Sequence, residues 1–156
     1  MLISVSAQID IIVSSPDSTD PRLIVETKLA LRDGGAAETQ LKQSMLQLSC
    51  PVGLIVTPER MWIFSDRRTS GTPESIQKIG DFAIGHLLQF RPANKTPRES
   101  VRFEEAVQYW LENLPRIASP EIVKDSALWH ALNTLVIPVI ETGEVRAAAP
   151  RHRYYL

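Results

Sequence analysis

The sequence predicts an α/β fold: a mixed sheet of four or five strands flanked by helices, with a helical C-terminal portion. Three observations carry this prediction. The opening residues alternate apolar with polar, as a half-buried strand does. The apolar run Leu23-Ile24-Val25 suits a strand inside a sheet, and Val52–Thr57 and Met61–Ser65 read as two further short strands. From Thr72 onward, helix-start signals recur ahead of apolar residues at helical spacing.

Taken in order, Ile3, Val5, Ala7, Ile9, Ile11 and Val13 fall on one side of the first strand, and Ser4, Ser6, Gln8 and Asp10 on the other. Ser14 to Pro21 reads as a polar loop, and Arg22 to Leu29 as a second, internal strand. Asp33-Gly34-Gly35 breaks the chain before a helix from about Ala36 to Leu48. Ala37, Leu41, Met45 and Leu48 form its apolar stripe beside the polar Gln40, Gln43 and Gln47, and Cys50-Pro51 stops it. Val52–Thr57 and Met61–Ser65 follow as strands joined by the turn Pro58-Glu59-Arg60.

Thr72-Pro73, Thr96-Pro97 and Ser119-Pro120 each place a hydroxyl at an N-cap and proline at the first helical position. Glu99 completes a capping box with Thr96. The spacing of Ile76, Ile79, Ala83, Leu87 and Phe90 predicts one helix, that of Phe103, Val107, Trp110 and Leu114 a second. A third is expected from Pro120 to about Leu135, then a hairpin over Val139–Arg146 and a basic tail, Arg151-His152-Arg153. This divides the chain into an α/β core over 1–90 and a mainly helical extension over 91–156, which can pack on the core as one domain.

A net charge of −1 supplies no global positive field, which argues against a pure nucleic-acid-binding module. No apolar run approaches the roughly 20 residues a bilayer requires, and the start lacks the pattern of a signal peptide. Cys50 is the only cysteine, so no disulfide framework exists and a reducing, cytoplasmic setting is expected. His86, His130 and His152 lack zinc-ligand spacing. Cys50 reads as a small packed residue, and Trp62, Trp110 and Trp129 read as core. Arg60, Arg67, Arg68 and Lys78 are candidates for contacting a phosphate backbone.

One constellation can carry chemistry. Asp10 lies on the polar side of its strand, and Glu26 and Lys28, two apart, point to one face of theirs. If those strands are neighbours, two carboxylates and an ammonium converge near one end of the sheet. Two carboxylates and water suit a hard, oxygen-seeking cation such as Mg²⁺, and an ammonium can orient water and offset phosphate charge. Most Glu-x-Lys pairs on strands are solvated surface charges. Here the run Leu23-Ile24-Val25 places the pair at the end of an internal strand, where charges require partners, a metal or a cleft.

Ile9-Asp10 followed by Ile24-Val25-Glu26-Thr27-Lys28 resembles the D…(D/E)xK signature of the PD-(D/E)xK phosphodiesterase superfamily. The stretch from Gln40 through Pro51–Thr57 to Arg60–Phe64 is similar to the helix and strand pair in the N-terminal nuclease domains of type I restriction enzyme motor subunits. The resemblance covers roughly Ile3 to Ser65. It implies a restriction-endonuclease-like core and a Mg²⁺-dependent endodeoxyribonuclease, with Mn²⁺ as a possible substitute. Asp10 and Glu26, with the Thr27 carbonyl, would ligate the metal, Lys28 would position or deprotonate the attacking water, and Gln40 would orient Lys28 or the substrate. DNA is the implied partner, and the products would carry a 5′-phosphate and a 3′-hydroxyl. The family's helix before the first strand has no counterpart here, so the C-terminal helices, a second copy or a partner subunit would complete the core. No GxxxxGK[ST] loop is present, so no ATPase motor is expected. The alternative expectation is a nuclease-fold protein without catalysis, acting as a nucleic-acid-binding or assembly subunit.

Overall fold

The computed structural model describes residues 9–68 and 71–151; the expected strand residues before Ile9 and the tail beyond Arg151 lie outside it. Its centre is a mixed sheet of six strands rather than four or five. In chain order these are β1 (Ile11–Ser14), β2 (Pro21–Thr27), β3 (Val52–Val56), β4 (Arg60–Asp66), β5 (Ile76–Ala83) and β6 (Glu144–Ala147). Across the sheet the order is β5-β4-β3-β2-β1-β6. Only β2 and β3 run parallel, and the helix α1 (Gly34–Leu48) makes the crossover between them.

α1 begins where Asp33 accepts a hydrogen bond from the Ala36 N–H at 3.1 Å, two residues before the expected start. It covers β2 and β3 on one face. Leu41 and Met45 pack there against Ile24, Ile55 and Phe64. Contact is close because position 53 is glycine: a Cβ there would come within 2.7 Å of the Met45 sulfur.

The other face carries the larger apolar cluster. α3 (Pro97–Ile117) presents Phe103, Val107, Trp110, Leu111 and Leu114 to it, as their spacing predicts. Each such side chain, fully buried, contributes roughly 1.5–3 kcal/mol. Thr96 caps α3 by accepting from the Glu99 N–H at 3.3 Å. Glu99 does not close the expected box; its carboxylate accepts instead from Ala93 N–H at 2.9 Å and tethers the incoming loop.

Further expectations are corrected. Ile76–Ala83 is a strand, although its apolar residues have helical spacing. Thr72-Pro73 starts only a single 3-10 turn, Pro73–Ser75, before β5 pairs with the whole of β4. Gly80 disfavours a helix there, and pairing satisfies the β4 edge, whose backbone groups would otherwise lack partners. A short helix, α2 (Gly85–Leu88), takes up the rest of the apolar run.

The expected helix from Pro120 to Leu135 is broken. α4 (Pro120–Val123) ends at Lys124, whose φ is 68°, and Asp125 caps a new start by accepting from the N–H groups of Ala127 and Leu128. α5 (Ser126–Ala131) runs through a wide π turn, Leu132–Val136, into α6 (Ile137–Thr142). The wide turn precedes Pro138, which lacks an N–H and crowds the carbonyl four residues back. No hairpin forms over Val139–Arg146: its first part is helical, and β6 pairs antiparallel with β1 instead. Gly143 permits this return, because a Cβ there would lie 2.8–2.9 Å from Val139 O and Ser14 O.

The alternation of the first strand also slips. Ile11 and Val13 join the α3-side cluster, whereas Ile9 packs under α1 with Ile24 and Leu41. Regular pairing begins at Ile11, opposite Val25, and just ahead of it the Asp10 side chain takes over a backbone bond.

Candidate active site

Every residue expected to act lies around the C-terminal end of β2. The strand sits between β1 and β3, so Glu26, opposite Ile55 of β3, is only 2% exposed. Its carboxylate is 3.3 Å from the Lys28 ammonium, whose side chain keeps 35% exposure. Glu26 Oε1 has no hydrogen-bond partner among the described residues, so Lys28 answers its charge without satisfying its acceptor geometry. Burial holds the Glu26 carboxyl above the ordinary range, opposed by the nearby ammonium.

Asp10 stands immediately before β1. Its Oδ2 accepts from the Thr27 N–H at 2.7 Å and the Thr27 hydroxyl at 3.0 Å, so Asp10 is fastened to the residue between Glu26 and Lys28. The Asp10 N–H donates to Val25 O, and its carbonyl accepts from the Ala148 N–H, each at 2.9 Å. Burial raises the Asp10 carboxyl to about 7; the Glu104 carboxylate adds to the rise and the bonds from Thr27 oppose it. Lys28 N–H donates to Val56 O at 3.0 Å, which fixes the strand end. Lys28 and the exposed Gln40 of α1 line one depression of about 240 Å³.

Two groups here had no local signal in the sequence. Glu104 of α3 approaches Asp10, and Arg151 forms an ion pair with Glu104 while donating to Gln108 Oε1 at 2.7 Å. Glu104 follows the core residue Phe103 on an amphipathic helix, and only the docking of α3 brings it to the end of β1.

The donor chemistry fits a hard cation. Asp10, Glu26 and the Thr27 carbonyl are all oxygen donors, and Glu26 Oε1 is a buried acceptor without a donor. No three His, Cys, Asp or Glu side chains gather closely enough among the described residues to hold a metal ion alone. Asp10 and Glu26 answer different partners, Thr27 and Glu104 for the one and Lys28 for the other, so a cation shared by both would have to join two carboxylates, a carbonyl and water, the pattern usual for Mg²⁺.

The remaining candidates divide. Cys50 is fully buried, donates to Val52 O at 3.3 Å, and burial pushes its thiol up to about 11, so it is packed rather than nucleophilic. Arg60 is paired with Asp81 at 2.7 Å, Lys78 with Glu38 at 3.1 Å, and Arg68 donates to Ser49 O. Trp110 is buried in the core, whereas Trp129 and Trp62 are half-buried and pack against it, Trp62 also bordering two hollows. No described helix is long and apolar enough to cross a membrane. No family model, curated protein or solved structure matches this chain.

The raised Asp10 carboxyl gives a pH-dependent expectation. A carboxyl whose folded pKa exceeds its unfolded value stabilises fully below the unfolded value, near 4, and this is lost as pH rises toward 7. Asp10→Asn should therefore stabilise the protein at pH 8 by on the order of 2–4 kcal/mol, raising its urea midpoint, and lose that advantage near pH 4. Urea unfolding at the two pH values checks it. A difference that does not change with pH contradicts the burial account.

Proposed function

We propose that this protein is a divalent-cation-dependent nuclease that hydrolyses DNA phosphodiester bonds, with a restriction-endonuclease-like core of the PD-(D/E)xK type. The observation that carries the reading is Glu26, a buried carboxylate with an unsatisfied oxygen beside the Lys28 ammonium, at the end of an internal strand. The hairpin β1–β2, the α1 crossover to parallel β3 and the return on β4 support it, because they set Asp10, Glu26 and Lys28 around one strand end.

Asp10, Glu26 and the Thr27 carbonyl would hold Mg²⁺ or Mn²⁺. Such an ion supplies a more acidic bound water and charge neutralisation at the phosphate. Lys28, partly exposed at the depression, orients the attacking water or takes its proton once it has lost its own; the neighbouring Glu26 carboxylate favours the ammonium and so the orienting role. Gln40 faces the same depression and is placed to orient Lys28 or a phosphate oxygen.

The test is nicking and linearisation of supercoiled plasmid with Mg²⁺ or Mn²⁺, wild type beside Lys28→Ala. Cleavage by the wild type that Lys28→Ala loses while remaining folded is the expected result. No cleavage by either, with a melting temperature indifferent to the cation but dependent on protein concentration, would point to a non-catalytic assembly subunit.

A further inference from the structure

We propose that a groove leading from the Lys28–Gln40 depression past Trp62 to Arg91 binds a single-stranded polynucleotide. This rests on the nuclease reading above and adds its substrate class, a separated strand such as supercoiled plasmid exposes locally. The depression at Lys28 shares Leu31 with two neighbouring hollows of about 450 and 380 Å³, and Trp62 lines both. Beyond them, Phe90 and Arg91 continue the groove into a further hollow of about 660 Å³ that His86 also lines.

Trp62 is the central feature. It lies on β4, on the sheet face that α1 covers at β2 and β3, and packs against that core while remaining half-buried. An indole in this position offers a surface on which any base can stack. Phe90 is less available, since it packs against Phe103 with centroids 5.0 Å apart and the Arg102 guanidinium lies 5.9 Å from its own. Cations flank the aromatic: the half-buried Lys28, paired with Glu26, and the exposed Arg32 toward the site, and the exposed Arg91 at the far end. Of the acidic lining groups, Glu38 is neutralised by Lys42 at 2.9 Å and Lys78 at 3.1 Å, Asp33 is engaged in capping α1, and Glu59 lines the two hollows beside Arg91. An aromatic between cations suits alternating bases and phosphates. A duplex keeps its base faces stacked on one another and gives Trp62 nothing to hold.

The experiment measures binding of the full chain in EDTA, where no cleavage intervenes. The probes are labelled oligothymidylate, labelled oligouridylate and a mixed-sequence DNA duplex. A single strand should bind at least about tenfold more tightly than the duplex, and should quench tryptophan fluorescence. Trp62→Ala should weaken strand binding by about tenfold or more, and Trp62→Phe should restore most of it. Arg91→Gln, an exposed change that leaves the core untouched, should lower the slope of log K against log salt by about 0.7. Whichever oligonucleotide binds more tightly names the sugar the groove prefers. Equal affinity for duplex and strand, or unchanged binding in folded Trp62→Ala and Arg91→Gln, overturns the proposal. Binding without plasmid or oligonucleotide cleavage in any metal would sink the nuclease reading but keep the groove; cleavage indifferent to Trp62 and Arg91 would do the reverse.

Discussion

Glu26→Gln is expected to lower metal-dependent DNA cleavage by at least about a hundredfold while making the protein more stable at pH 8. The two effects have one cause. Glu26 is 2% exposed and burial holds its carboxyl above the ordinary range, so the folded state is strained by the very charge that the proposed cation and attacking water would require. A carboxyl raised in this way stabilises below its unfolded pKa and loses that stability as pH rises through the folded value. Glutamine keeps the shape and removes the charge, so its advantage should appear at pH 8 and vanish near pH 4. Lys28 is not stranded by the change, because its side chain retains 35% exposure to water. Urea midpoints at both pH values and plasmid cleavage at pH 8 provide the two readouts. A variant that loses activity and stability together would assign Glu26 a structural role; one that cleaves as the wild type does would remove it from the site.

Phe103→Ala should destabilise the protein by about 3–5 kcal/mol. The ring is 1% exposed at the centre of the larger cluster, where α3 meets the sheet and Phe90. That cluster draws residues from both sides of Arg91, Leu23 and Ile63 as well as Leu111 and Ile140. β6, from the last quarter of the chain, closes one edge of the sheet. Loss of Phe103 should therefore lower a single cooperative transition, seen at the same urea concentration by circular dichroism and by tryptophan fluorescence. Trp62 reports on the sheet, and Trp110 and Trp129 on the helical layer. Two separated transitions would show that the helical half folds apart from the core.

Much of this architecture was legible in short stretches of sequence. Leu23–Val25 and Leu54–Val56 are apolar on consecutive positions, which only a strand covered on both faces tolerates at that length, and both are internal strands. α1 and α3 announce themselves by stripes at helical spacing, and α3 also by its cap at Thr96, because those signals depend on neighbours within four residues; the Asp33 cap of α1 reads along the sequence only as a break in the chain. The Glu26–Lys28 pairing follows from the two-residue period of a strand, and Lys28 and Gln40 do meet at one depression.

The tertiary structure decided what local pattern could not. Ile76–Ala83 has residues for a helix and for a strand, and the open edge of β4 settles it in favour of β5. Glu144–Ala147 becomes a strand because β1, not its own neighbouring residues, offers a partner. Ile9 and Ile11 part to opposite faces because the Asp10 carboxylate takes the Thr27 N–H, a long-range bond that no alternation encodes. Glu104 reaches Asp10, and Arg151 reaches Glu104, only once α3 and the C-terminal segment have docked. Periodicity and capping act over one or two turns and can be read along the chain. Strand pairing, burial of charge and the meeting of distant carboxylates depend on which surfaces close together, and those exist only after folding.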